Sequence, residues 1–170
     1  MNVRAPYNFV LAMYPNSRGV AFVVFEGTQS LVDWGLRVTR HKHEPYRYLS
    51  AIGDLFVLYQ PAMLLLENMA AAGARRSERI RNLNAKIAER ALSLHMTVRF
   101  YSREQVREAF APFKAITKEA IADAVGTQVP SLARLVPPHR KPWTSEHARM
   151  GVFDAAALAL TFFGSAKTEV

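Results

Sequence analysis

Two apolar runs, Phe9–Met13 and Val20–Phe25, flank the polar stretch Pro15-Asn16-Ser17-Arg18-Gly19. Each run is short, rich in β-branched and aromatic residues, and bounded by turn formers, which predicts an antiparallel hairpin. The first run has almost no polar alternation, so it belongs in the middle of a sheet covered on both faces. Ser30–Val38 reads as a third strand after the turn Gly27-Thr28-Gln29. Glu44-Pro45 opens a helix that runs to Tyr59, since proline fits the first helical turn. Tyr48, Leu49, Ile52, Leu55, Phe56 and Tyr59 recur on one face of it. After Pro61, the apolar run Ala62–Leu66 is a fourth strand ending at Glu67-Asn68, and strand–helix–strand implies a right-handed parallel crossover.

Beyond the small residues of Met69–Ala74, a helix is expected from Arg75 to about Leu94. Arg75, Arg76, Arg79, Arg81, Lys86 and Arg90 fall on its outer side, and Ile80, Leu83, Ile87, Ala91 and Leu94 on its inner side. Met96–Tyr101 reads as a fifth strand. Ser102 with Gln105 three residues on forms a capping box, and Thr117 opens a short helix ending near Gly126. Residues 127–144 make a proline-rich loop, long enough to suggest function. Ser145 then caps a last helix, 146–163, carrying Glu146, His147 and Asp154. No internal repeat or second domain is visible, so 1–170 reads as a single domain.

Composition narrows the class. A chain of 170 residues, half of them hydrophobic, suits one sizeable core. The lack of cysteine excludes a disulfide framework, thiolate zinc sites and cysteine nucleophiles, and fits a reducing compartment. The longest apolar runs are too short to span a bilayer and the N-terminus has no signal-peptide pattern, so a cytoplasmic protein without membrane association is expected. The net charge of +8 points to an acidic polymer, nucleic acid above all, although a merely basic soluble protein fits the charge too. His41 and His43, in Arg40-His41-Lys42-His43, have a possible metal-ligand spacing, but nothing nearby completes a site.

The turn Tyr14-Pro15-Asn16-Ser17-Arg18 resembles the opening hairpin of the RuvC family of Holliday junction resolvases, within the RNase H-like superfold. In that family the first strand ends in an aspartate followed by Pro-Gly-Ser-Arg or a near variant; here Tyr14 stands at the aspartate. The resemblance extends from Phe9 to about Leu160 through the order of the elements. It implies an α/β, RNase H-like fold: a mixed five-stranded sheet, a three-strand antiparallel meander plus two parallel strands, with helices on both faces. It also implies acids at the ends of the first and fourth strands and on the last helix. These converge on one or two Mg2+ or Mn2+ ions, which activate water and stabilise the leaving oxygen in phosphodiester cleavage.

On this resemblance Glu67 takes the place of the family's second acid, and Asp154, in Met150-Gly151-Val152-Phe153-Asp154, that of the final aspartate. Read from the residues alone, Glu67 ends an apolar strand, where a charge is expensive without a partner, and the alternative is a strand-end surface glutamate. Three residues before the final aspartate the family commonly has an acid or histidine, where this chain has Gly151. His147, two turns before Asp154 on the expected helix, could partly substitute, and an ordinary surface histidine fits as well. Tyrosine is neutral at pH 7 and a poor magnesium ligand, so Tyr14 both removes a charge and fills space. Restoring the acid, Tyr14→Asp, is expected to raise metal affinity.

The candidate catalytic set is thus Glu67, Asp154 and His147 around a degenerate Tyr14. Glu67 and Asp154 would be the ligands of Mg2+ or Mn2+ if the protein is active, with no cofactor otherwise. Arg18, Arg75, Arg76, Arg79, Lys118, Arg140 and Lys141 are candidate phosphate contacts, and Trp143 either stacks on a splayed base or anchors its loop. The expected function is recognition of branched or duplex DNA with cleavage weakened or lost. The alternatives are an active metal-dependent endodeoxyribonuclease resolving DNA junctions and a scaffold for protein assembly. Two symmetric nicks need two sites, so the resemblance also implies a homodimer.

Overall fold

The computed structural model describes residues 9–28, 30–38 and 45–168. Its apolar runs pair into one sheet in the order β3-β2-β1-β4-β5. The strands β1 (Phe9–Pro15), β2 (Val20–Glu26) and β3 (Ser30–Arg37) form the antiparallel meander. Strand β4 (Met63–Glu67) joins β1 in parallel, and β5 (Thr97–Tyr101) joins β4 in parallel. Helix α1 (Pro45–Tyr59) precedes β4 and α2 (Glu78–Ser93) connects β4 to β5. They are followed by α3 (Arg103–Phe110), α4 (Lys118–Gln128) and α5 (Met150–Thr168). This is the mixed five-stranded arrangement expected from the sequence.

Because side chains alternate along a strand, each strand feeds two cores. Leu11, Met13, Phe22, Val24, Leu64 and Leu66 pack against Ile52 and Leu55 of α1 and Ile87 of α2. Val10, Ala12, Tyr14, Val23, Phe25, Met63 and Leu65 pack with Phe110 of α3, Val125 of α4 and Phe153 and Ala156 of α5. Cover on both faces explains why β1, β2 and β4 read as nearly unbroken apolar runs. The same alternation aims the site. Ala12 pairs with Leu65. Two residues on, Tyr14 and Glu67 therefore leave the tip of the sheet side by side, on the face that α5 covers.

Three boundaries differ from expectation. Helix α2 starts at Glu78, not Arg75, because Ser77 is the N-cap and its Oγ accepts the Ile80 N–H at 3.3 Å. Arg75 and Arg76 lie before the helix, and Leu94, expected inside, is exposed at its C-cap. Helix α5 starts at Met150, not residue 146: the His147 ring accepts the Arg149 N–H at 3.2 Å and the preceding segment is a series of turns. Within the expected loop, Pro130–Leu135 winds into a 3-10 helix that covers Val125 and buries Leu132. The capping box of Ser102 and Gln105 is formed. The lead-in 1–8, Gln29 and the Arg40–His43 cluster lie outside the described residues. No described helix is long and apolar enough to cross a membrane.

Candidate functional site

Tyr14, Glu67 and Asp154 line one pocket, together with Arg103, Arg107 and Lys118. Glu67 is 2% exposed. Its Oε2 accepts hydrogen bonds from Arg76 Nε at 2.9 Å and Nη2 at 2.7 Å, and its Oε1 accepts one from Arg103 Nε at 3.0 Å. Arg76 Nη2 also donates to the Tyr14 hydroxyl. Across the pocket, Lys118 Nζ lies 2.9 Å from Asp154 Oδ2, 2.5 Å from Glu146 Oε1 and 5.6 Å from the centre of the Tyr14 ring. From behind, Asn84 Nδ2 donates to the Glu67 carbonyl at 3.0 Å, fixing the end of β4. An isolated buried charge is costly, and here each acid has a cation against it.

The electrostatics follow from this packing. Burial pushes the Asp154 carboxyl up to about 6, against the pull of Lys118. Burial, then the negative charges of Asp154 and Glu67, raise the Tyr14 phenol above its ordinary value, so it is neutral at physiological pH. Burial alone would lower Lys118, but Asp154 and its other acidic neighbours outweigh that effect and raise it, keeping the ammonium charged.

Whether these residues fit a divalent cation is decided by the donor set. Magnesium and manganese need several oxygen ligands, carboxylates foremost. Both oxygens of Glu67 already accept guanidinium N–H groups, Asp154 is held by Lys118, and Tyr14 offers a neutral phenol. Among the described residues no three His, Asp or Glu side chains converge as a metal-holding group. The set does not fit a divalent ion. Arg76, Arg103 and Lys118 supply to Glu67, Asp154 and Glu146 the counter-charge that metal ions would bring.

The position of Gly151 reinforces this. A Cβ there would lie 2.6 Å from Asn16 Nδ2 and 3.0 Å from Ala21 Cβ. Asn16 is not free to move, because its Oδ1 accepts the N–H groups of Arg18 at 2.8 Å and Gly19 at 3.2 Å in the β1–β2 turn. Helix α5 therefore sits too close to that turn to carry an acid at 151.

The other sequence candidates separate. His147 is exposed and precedes α5, so it shares no helical face with Asp154, contrary to expectation. Arg76, expected on the outer side of its helix, and Lys118, expected to contact phosphate, turn inward to the acids. Arg18 Nη2 donates to the Glu146 carbonyl at 2.6 Å. Arg75, Arg79, Arg140, Lys141 and Trp143 are exposed. Arg103 was not singled out from the sequence, yet a signal was present: it lies two residues past Tyr101, which pairs with Glu67 in the β4–β5 register.

A mixed sheet of this order, with helices on both faces, is an RNase H-like arrangement. The particular likeness is to RuvC. Thermus thermophilus RuvC superposes with a TM-score of 0.67 and 18% identity, covering 95% of this chain and 96% of that one. The same protein in complex with Holliday junction substrate gives 0.65 and 16%, covering 94% and 95%. The yeast mitochondrial Holliday junction resolvase gives 0.63 and 10%, covering 91% and 77%. The chain is RuvC-like in fold. No protein-family model matches it, and no curated protein matches it by sequence.

Proposed function

We propose that this protein binds nucleic acid, branched or duplex DNA, through its RuvC-like surface, and that metal-dependent cleavage is weakened or lost. One observation carries the reading: both carboxylate oxygens of Glu67 are bonded to arginines and so are not free to serve as metal ligands. The net charge of +8 and the T. thermophilus RuvC complex with Holliday junction substrate support a polyanionic partner. Binding rests on phosphate contacts by exposed cations such as Arg75, Arg79 and Lys141, so affinity falls steeply with salt. A homodimer would present two such surfaces to a symmetric junction.

The test is a gel-shift series on a four-way junction and a flush duplex, with magnesium or with chelator, alongside a nicking assay. The reading expects salt-sensitive binding that is unchanged by chelator, and no nicking. Efficient nicking in magnesium that Glu67→Gln abolishes would instead make the protein an endonuclease with a rearranged site. No binding at low salt would favour a scaffold for protein assembly.

A further inference from the structure

Trp143 is 78% exposed, more than any other large apolar side chain described. A tryptophan anchoring its loop would be buried, so the anchor reading fails and the exposure asks for another cause. The segment that carries it is held firmly on both sides. Upstream, His139 Nε2 lies 2.7 Å from Asp123 Oδ2 and Arg140 Nε lies 3.6 Å from Glu119 Oε1, both acids belonging to α4. Downstream, the Glu146 carbonyl accepts from Arg18 and its carboxylate holds Lys118. Between these clamps the Lys141 carbonyl accepts the Thr144 N–H at 3.0 Å and the Thr144 hydroxyl at 2.9 Å. That closes a tight turn with Pro142 and Trp143 at its centre, and proline fixes the backbone entering the tip. The indole is thus presented to solvent on a pre-ordered support, which lowers the entropic cost of engaging a ligand.

The surroundings identify the ligand. Lys141 Nζ lies 5.5 Å from the centre of the indole. The sequence has no Asp or Glu between Asp123 and Glu146. An aromatic face beside the Lys141 ammonium, on a segment without acids of its own, suits a base whose phosphates meet that cation. Trp143 is three residues from Glu146, a span of at most about 11 Å, and Glu146 shares Lys118 with Asp154. The tip therefore lies within about 11 Å of chain from a residue that shares the pocket's Lys118. Bases inside a duplex are stacked on each other and offer no face, whereas unpaired bases do.

We propose that Trp143 stacks on an unpaired base of a nucleic-acid strand lying over the Tyr14 pocket, so that the protein selects branched or single-stranded sites over intact duplex. This rests on the nucleic-acid reading above. Trp34 and Trp143 are the chain's two tryptophans, so Trp34→Phe leaves Trp143 as sole reporter. Its fluorescence is followed against a four-way junction, an oligothymidylate and a flush duplex, with binding measured in parallel by gel shift. The proposal expects strong quenching by the first two and little by the duplex. Trp143→Ala should weaken junction and oligothymidylate binding by about ten- to a hundredfold while sparing duplex, and Trp143→Phe should restore most of it. Complexes that form with unquenched Trp143, or equal weakening on all three substrates, overturn the stacking role and leave the nucleic-acid reading standing. No binding to any substrate removes both. An emission shift that follows protein concentration without DNA would mean that a second copy covers the indole, and would likewise overturn the proposal.

Discussion

Tyr14 and Arg76 engage each other in two ways: the guanidinium carbon stands 4.7 Å from the centre of the phenol ring, and Nη2 donates to the phenol oxygen. The same guanidinium makes two hydrogen bonds to Glu67. A neutral, electron-rich side chain at position 14 thus accommodates a buried cation by its ring face and its oxygen together. Tyr14 and Arg76 form a pair, and the tyrosine at this position is matched to the arginine beside it.

The cluster should contribute to stability because its charges are buried together. Glu67→Gln leaves Arg76, whose side chain is 11% exposed, without its counter-charge. Removing one partner of a buried ion pair costs on the order of 3 kcal/mol. Urea unfolding should show that loss for Glu67→Gln and a smaller loss for the double variant Glu67→Gln/Arg76→Met, which removes both charges. Wild-type stability in the single variant would mean that the ion pair does not hold the sheet tip.

At position 151 the constraint is steric. Gly151→Ala places a methyl 2.6 Å from the amide of an asparagine that is fixed by two backbone N–H groups. Overpacking of this kind costs about 1–3 kcal/mol. Combining it with Asn16→Gly, which removes the obstructing amide, should recover part of the lost thermal stability. A fully stable Gly151→Ala would show that α5 can withdraw from the β1–β2 turn.

Asp154 makes stability depend on pH in a defined direction. Its folded-state value is raised from 3.8 to about 6, so between those values the folded protein binds more protons than the unfolded chain. Stability from this group is greatest below about pH 4 and declines as pH rises to about 6. Asp154→Asn does not titrate. The variant's stability relative to wild type should therefore shift in its favour by on the order of 2–3 kcal/mol between pH 4 and 7. Denaturation midpoints of both proteins across that range provide the measurement, and parallel curves would contradict it.

The local parts of this fold were legible because local chemistry sets them. The hairpin follows from two apolar runs around Pro15–Gly19, α1 begins at Pro45 and ends at Tyr59 as its periodicity says, and Ser102 caps α3. Glu67, Asp154 and Tyr14 could be placed together because the resemblance sets acids at the strand ends and on the last helix, and the pairing of β1 with β4 brings Tyr14 and Glu67 to the sheet tip. The cations could not be placed. A helix starting at Arg75 puts Arg76 on its exterior, but Ser77 is the cap and the helix starts three residues later, at Glu78. Lys118 sits at the first turn of α4, and nothing near it in sequence shows that it reaches Asp154, 36 residues on. Long-range ion pairs leave no periodic trace, so the sequence showed the acids and hid what neutralises them.

These cations also change what placing an acid at position 14 should do. From the sequence, Tyr14→Asp is expected to raise metal affinity, because Glu67 and Asp154 remain. In the structure an aspartate at 14 would emerge beside Arg76 and Arg103, and a carboxylate next to two guanidinium groups forms charge-assisted hydrogen bonds with them. A divalent ion would have to displace those cations from Glu67 as well. Tyr14→Asp alone should therefore bind Mn2+ no better than wild type in calorimetry and should not nick a four-way junction. Tyr14→Asp combined with Arg76→Gln and Arg103→Gln frees two carboxylates at the sheet tip, the new one at 14 and Glu67, and Mn2+ binding should then become measurable. Nicking should remain slow, because Gly151 still withholds the further ligand and Lys118 still holds Asp154. If Tyr14→Asp alone binds Mn2+ and cuts the junction, the arginines yield readily to metal, and the tyrosine by itself is what silences the site.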